Sequence, residues 1–122
     1  MTVDTPAHVV RLHIVDGSDD EKALEAVQGY LEKIQDNELE IEIAAVEPSS
    51  AVEVEETLVI SRQPDLTAAK LIARRLGLRS DRVFYKPLEH NLDQVTVTLI
   101  LGHDGGALPA MLPEKEEIRQ KH

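Results

Sequence analysis

From His8 to Val15 the chain alternates apolar and polar residues, with Val10, Leu12 and Ile14 interleaved with Arg11 and His13. A period of two predicts a half-buried strand. Asp16-Gly17 turns the chain, and Ser18-Asp19-Asp20-Glu21 has the form of a capping box, in which the Ser18 hydroxyl accepts from the Glu21 N–H and the Glu21 carboxylate reaches back to the Ser18 N–H. The period then lengthens. Leu24, Val27, Leu31 and Ile34, flanked by Ala23 and Tyr30, make one stripe of a helix that ends near Asp36-Asn37. Strict alternation returns at Leu39-Glu40-Ile41-Glu42-Ile43, a strand with one buried and one wet face that Pro48-Ser49-Ser50 breaks. A third strand is expected at Glu56 to Ser61, with Leu58 and Ile60 inward. Asp65 is the cap of a second helix whose stripe is Ala68, Leu71, Ile72 and Leu76, and Gly77 sits where a left-handed residue would end it. Val83-Phe84-Tyr85 is a short strand stopped by Pro87, and Val95 to Leu101 is the last, with Val95, Val97, Leu99 and Leu101 inward.

This order predicts an α+β two-layer sandwich of the split βαβ (ferredoxin-like) type. Two helices would cover one face of a four- or five-stranded, mainly antiparallel sheet. The open face would present Arg11, His13, Glu40, Glu42, Thr96 and Thr98, with no aromatic ring for bases to stack on. Residues 8–104 form one domain, between an N-terminal arm (1–7) and a flexible or loosely docked tail (105–122). No apolar run is long enough to span a membrane, and the first residues have no signal-peptide character.

Charge changes this picture in one respect. The net charge is −10, but the residues up to Ile60 hold 15 acidic and 3 basic side chains, whereas those from Ser61 onward hold 8 and 10. An acidic half is joined to a mildly basic one, which bears on partners and not on fold. The overall charge argues against nucleic-acid binding, and aromatic residues at 2% leave little to stack on bases or sugar faces. Without cysteine there is no thiol catalyst, disulfide or thiolate zinc site. No nucleophile-base-orienter set and no phosphate-binding glycine loop is present, so an enzyme is not expected and no cofactor is implied.

Four segments, in order, resemble the LytR C-terminal domain family, an accessory module of LytR-CpsA-Psr cell-envelope proteins. They are Val10-Arg11-Leu12-His13-Ile14-Val15-Asp16-Gly17-Ser18, Thr57-Leu58-Val59-Ile60, Ala69-Lys70-Leu71-Ile72-Ala73-Arg74-Arg75-Leu76-Gly77 and Val95-Thr96-Val97-Thr98-Leu99-Ile100-Leu101-Gly102-His103-Asp104. They are similar to that family's strand ending in Asn-Gly-Ser, its Thr-x-Val-x-Tyr strand, its Ala-x-x-Leu-Ala-x-x-Leu-Gly helix and its Val-Thr-Val-x-Leu-Gly-x-Asp ending. Asp16 stands where the family has Asn, and Val52-Glu53-Val54-Glu55 stands where an Asp-Tyr pair is usual, so the chain resembles a divergent or stand-alone member. The resemblance implies a non-catalytic binding module on the extracytoplasmic side of a bacterial envelope, contacting wall glycan or an anionic envelope polymer. The alternative is a dimeric regulatory domain that senses a small molecule or a protein partner.

Lys70, Arg74, Arg75, Arg79 and Arg82 form the one basic concentration, and Lys70, Arg74, Arg75 and Arg79 of it, with Arg11 and His13, are the candidate partner-binding residues. They fit phosphates, yet a solvated helix face is the plainer reading, and pairing with Glu38, Glu40, Glu42, Glu53, Glu55 or Glu56 is a third. Asp16-Gly17-Ser18-Asp19-Asp20 lacks the ligand spacing of a calcium loop, so a turn and cap is the favoured role. A ferredoxin-like sheet would place His8 beside His103 and Asp104, which could ligate zinc, although two exposed histidines are the default.

Overall fold

The computed structural model describes residues 8–18, 21–47, 54–91 and 94–103. The arm, the tail with Asp104, and Asp19-Asp20 of the expected capping box lie outside them. In chain order the elements are β1 (His8–Asp16), α1 (Glu21–Lys33), β2 (Leu39–Glu47), β3 (Leu58–Ser61), α2 (Thr67–Arg75), a single 3₁₀ turn (Ser80–Arg82), β4 (Val83–Tyr85) and β5 (Val97–Leu101). The sheet order is β2-β1-β5-β3-β4.

The α+β class and the two layers are as expected, but the sheet is not mainly antiparallel. β1 runs parallel to both β2 and β5, and β3 runs parallel to β4; β3 with β5 is the antiparallel pair. Nor is either unit split, because the two strands joined by each helix are direct neighbours. A parallel pair needs a long crossover, and each helix supplies one. The molecule is thus two βαβ units, β1-α1-β2 and β3-α2-β4, with β5 closing the seam between β1 and β3.

One face of this sheet and both helices share a single core. Val10, Leu12 and Ile14 of β1, Leu39 and Ile41 of β2, Val59 of β3 and Val97, Leu99 and Leu101 of β5 pack with Leu24, Val27 and Leu31 of α1 and Ala69, Ile72, Ala73 and Leu76 of α2. Two strands depart from expectation. In β3 the inward residues are Val59 and Ser61, while Leu58 and Ile60 lie on the far face, half-buried. The Ser61 hydroxyl tolerates burial because it donates to the Gln63 carbonyl at 2.6 Å. β2 runs to Glu47, the residue before Pro48, as expected, but through an irregularity in the alternation, since Leu12 pairs with Ile43 but His13 pairs with Ala45. The extra residue flips the alternation, so Val46 turns to the core and Glu47 to the open face.

Helix ends follow local chemistry. The Asp65 carboxylate accepts from the Thr67 N–H at 2.9 Å and the Thr67 hydroxyl at 2.7 Å, although by backbone geometry the cap position is Leu66. Gly77 has φ 78°, the left-handed stop its position predicted.

The candidate functional site

The six residues expected to meet a partner do not form one surface. Arg11 and His13 are on the open face, where each is taken up by β2: Arg11 Nη1 donates to Glu42 Oε1 at 2.8 Å, and His13 Nε2 lies 2.9 Å from Glu47 Oε2. The rest lie in or after α2, in the helix layer. Thr98, placed on the open face by its parity, is only 1% exposed, because Arg62 lies over it with Nε donating to its hydroxyl at 3.0 Å. Burial lowers the Arg62 pKa. The open face also carries a ring after all. Phe84 pairs with Ile60 opposite the core-facing Val59 and Val83 row, and it is 48% exposed.

Arg75 is a structural tie. Its Nη1 donates to the Ile34 carbonyl at 2.7 Å, its Nη2 reaches Glu38 at 2.9 Å, and Asp36 stands 3.3 Å away, while the Tyr30 hydroxyl donates to the Arg75 carbonyl at 3.1 Å. These bonds join the ends of α1 and α2. The Glu38 N–H donating to Asp36, together with the Arg75 guanidinium, holds the Asp36 carboxyl below its usual value. Arg79 pairs locally with Asp81 at 3.0 Å, and Arg82 meets Glu56 at 2.6 Å. Pairing within the chain therefore absorbs Arg75, Arg79 and Arg82. Lys70 and Arg74 are exposed and have no carboxylate partner among the described residues.

These two cations border a groove of about 460 Å³ lined by His8, Glu38, Thr67, Lys70, Leu71, Ala73, Arg74, Leu78 and Ser80. Thr67, Lys70, Leu71 and Arg74 lie at i, i+3, i+4 and i+7, one side of α2. The opposite rim is His8, at the start of β1, and Glu38, just before β2, joined by the His8 N–H donating to the Glu38 carbonyl at 3.0 Å. The volume suits a small ligand or a short stretch of a polymer. Two cations on one side and a carboxylate on the other border an aliphatic floor of Leu71, Ala73 and Leu78. Charges at i and i+4 marked this face in the sequence, but the contributions of His8 and Ser80 come only from folding.

The expected neighbourhood of His8 and His103 does not exist. β1 and β5 are neighbours, but they are parallel, with Asp16 beside Leu101. His103 follows that end, whereas His8 begins β1, roughly 26 Å away along a nine-residue strand. Asp16, Gly17 and Ser18 form a turn. The buried Asp16 carboxylate accepts from the Ser18 N–H at 2.9 Å and from its hydroxyl. Gly17 donates to the Leu101 carbonyl, Gly102 donates to the Thr57 hydroxyl at 3.1 Å, and His103 donates to the Val54 carbonyl. Three of the four resembling segments thus meet in one backbone clamp at the end of the sheet. Compared with known proteins, the chain matches no family model, no curated protein and no solved structure.

Proposed function

We propose that the chain is a non-catalytic binding module of the LytR C-terminal type, associated with the bacterial cell envelope, and that it holds an anionic envelope polymer in the groove along α2. The observation that carries this reading is the contrast within one basic cluster: Arg75, Arg79 and Arg82 are paired with carboxylates, whereas Lys70 and Arg74 border one groove and have no carboxylate partner among the described residues. Charge-assisted donors of this kind bind phosphate and carboxylate strongly. The ordered resemblance supplies the setting, and the clamp formed by Asp16-Gly17-Ser18, Thr57 and Gly102 supports a structural role for its most distinctive residues. The test is retention on purified cell walls before and after the anionic polymers are stripped. Retention should require the polymer and should fall when Lys70 and Arg74 are both changed to alanine. Equal retention on stripped and intact walls would contradict the reading.

A dimeric regulatory domain is the second reading, favoured by one feature. β4 is an edge strand whose Phe84 and Tyr85 are each 48% exposed. A stable dimer in a sizing measurement, with no retention on any wall preparation, would favour it.

A further inference from the structure

Resting on the reading that an anion occupies the groove, we infer that Arg75 is a positioning residue for it. By holding Glu38 from outside the groove, Arg75 keeps the chain's own carboxylate from taking Lys70 and Arg74.

Glu38 is the one carboxylate of the lining, and it faces the two cations of α2 from the opposite rim. An incoming anion and the Glu38 carboxylate therefore compete for the same donors. A competitor on the same chain needs little affinity to matter, because its effective concentration is on the order of millimolar. The backbone of Glu38 is fixed, since its carbonyl accepts from the His8 N–H at 3.0 Å and its N–H donates to Asp36 at 2.9 Å. Its side chain, 53% exposed, is not fixed by packing. What holds it is Arg75 Nη2, at 2.9 Å from Oε1. Arg75 does not line the groove, so this bond commits the carboxylate to a group outside it. The guanidinium is itself set in place, because Nη1 donates to the Ile34 carbonyl at 2.7 Å and lies 3.3 Å from Asp36. A rigid fork of this kind can satisfy a carbonyl and two carboxylates at once, which an ammonium on a flexible stem does less well.

The experiment measures binding isotherms of the full chain on purified cell walls that keep their anionic polymers. Salt is held at about 0.15 M, where exposed charges more than about 8 Å apart are largely screened. Arg75→Ala should bind about fivefold more weakly than wild type, and Arg79→Ala, an equal loss of charge, within about twofold of it. Adding Glu38→Gln to Arg75→Ala should bring affinity back to within about twofold of wild type. Adding Asp36→Asn instead should not, although it changes the charge equally, because Asp36 meets Arg75 without lining the groove. Arg75→Gln, which keeps an amide donor for the Ile34 carbonyl, should repeat the pattern, so a poorly folded alanine variant does not decide the result. Binding by Arg75→Ala and Arg75→Gln as tight as by Arg79→Ala, rescue by both carboxylate changes alike, or rescue by neither would overturn the positioning role. If Lys70→Ala/Arg74→Ala still abolished retention, the anion reading would stand. Undiminished retention of that double variant, or no retention of wild type, would overturn the anion reading and the inference with it.

Discussion

The two βαβ units share an architecture and differ in charge and in what their side chains are used for. In β1-α1-β2 the strands are nine residues each and the helix thirteen, and the exposed row of β2 is carboxylates that hold Arg11 and His13. In β3-α2-β4 the strands shrink to four and three residues and the helix to nine, yet this unit carries Lys70 and Arg74, which have no carboxylate partner among the described residues. The apolar pattern, common to both, builds the fold. Charge, opposite in the two, is what sets them apart.

The largest effects should show that the units have one core. Leu12→Ala in β1 and Ile72→Ala in α2 both remove side chains with no exposure, and each should cost about 2–5 kcal/mol. Urea unfolding followed by circular dichroism and by tyrosine fluorescence should give one coincident transition for each variant; two separated transitions would mean that the units fold apart. Next comes the clamp where the units meet. A Cβ at Gly102 would lie 2.4 Å from the Glu56 carbonyl carbon and 2.7 Å from its Cα and N, all backbone atoms, so Gly102→Ala should cost about 1–3 kcal/mol in the same assay.

Smaller changes sharpen the contrast among the arginines. Arg75→Ala removes the bonds between the helix ends from a side chain only 21% exposed, and should cost about 1–3 kcal/mol. Arg79, 73% exposed and paired two residues away, should cost under about 0.5 kcal/mol when changed to alanine. The smallest effect is in acid. Asp36, in the first unit, is held below 3.8 by the Glu38 N–H and Arg75, and Asp65, in the second, by the Thr67 hydroxyl and N–H. A carboxyl with a depressed folded value stabilises fully above its unfolded value, and that stabilisation is lost as pH falls through the folded one. Between about pH 5 and about pH 3, Tm should therefore fall less steeply in Asp36→Asn/Asp65→Asn than in wild type.

Period and turn chemistry made the elements legible, down to Gly77 and to the inward set of β5. Strand direction was not legible, because an alternating strand reads the same whether its neighbour is parallel or antiparallel, and this is why His8 and His103 were expected together. β3 misled because Thr57-Leu58-Val59-Ile60-Ser61 has apolar residues on both faces, and a serine that satisfies its own hydroxyl can take the inner one. Pro48 marked the end of β2, but Ala44-Ala45 hid the irregularity within it, since two small residues in a row give no alternation to read. The basic cluster was visible, but which of its members remain unpaired depends on Glu38, Glu56 and Asp81 arriving from other segments.

In the proposed function, binding depends on two cations in one groove and not on total charge. Affinity for an anionic polymer should be measured against salt for wild type, Lys70→Glu/Arg74→Glu and Arg79→Glu, with Glu40→Gln/Glu42→Gln as a change of overall charge. If two phosphates are neutralised, the slope of log K against log salt should be about −1.4 for wild type and for the last two variants, and binding should vanish in the first. Affinities that instead follow net charge across all four proteins would contradict the account.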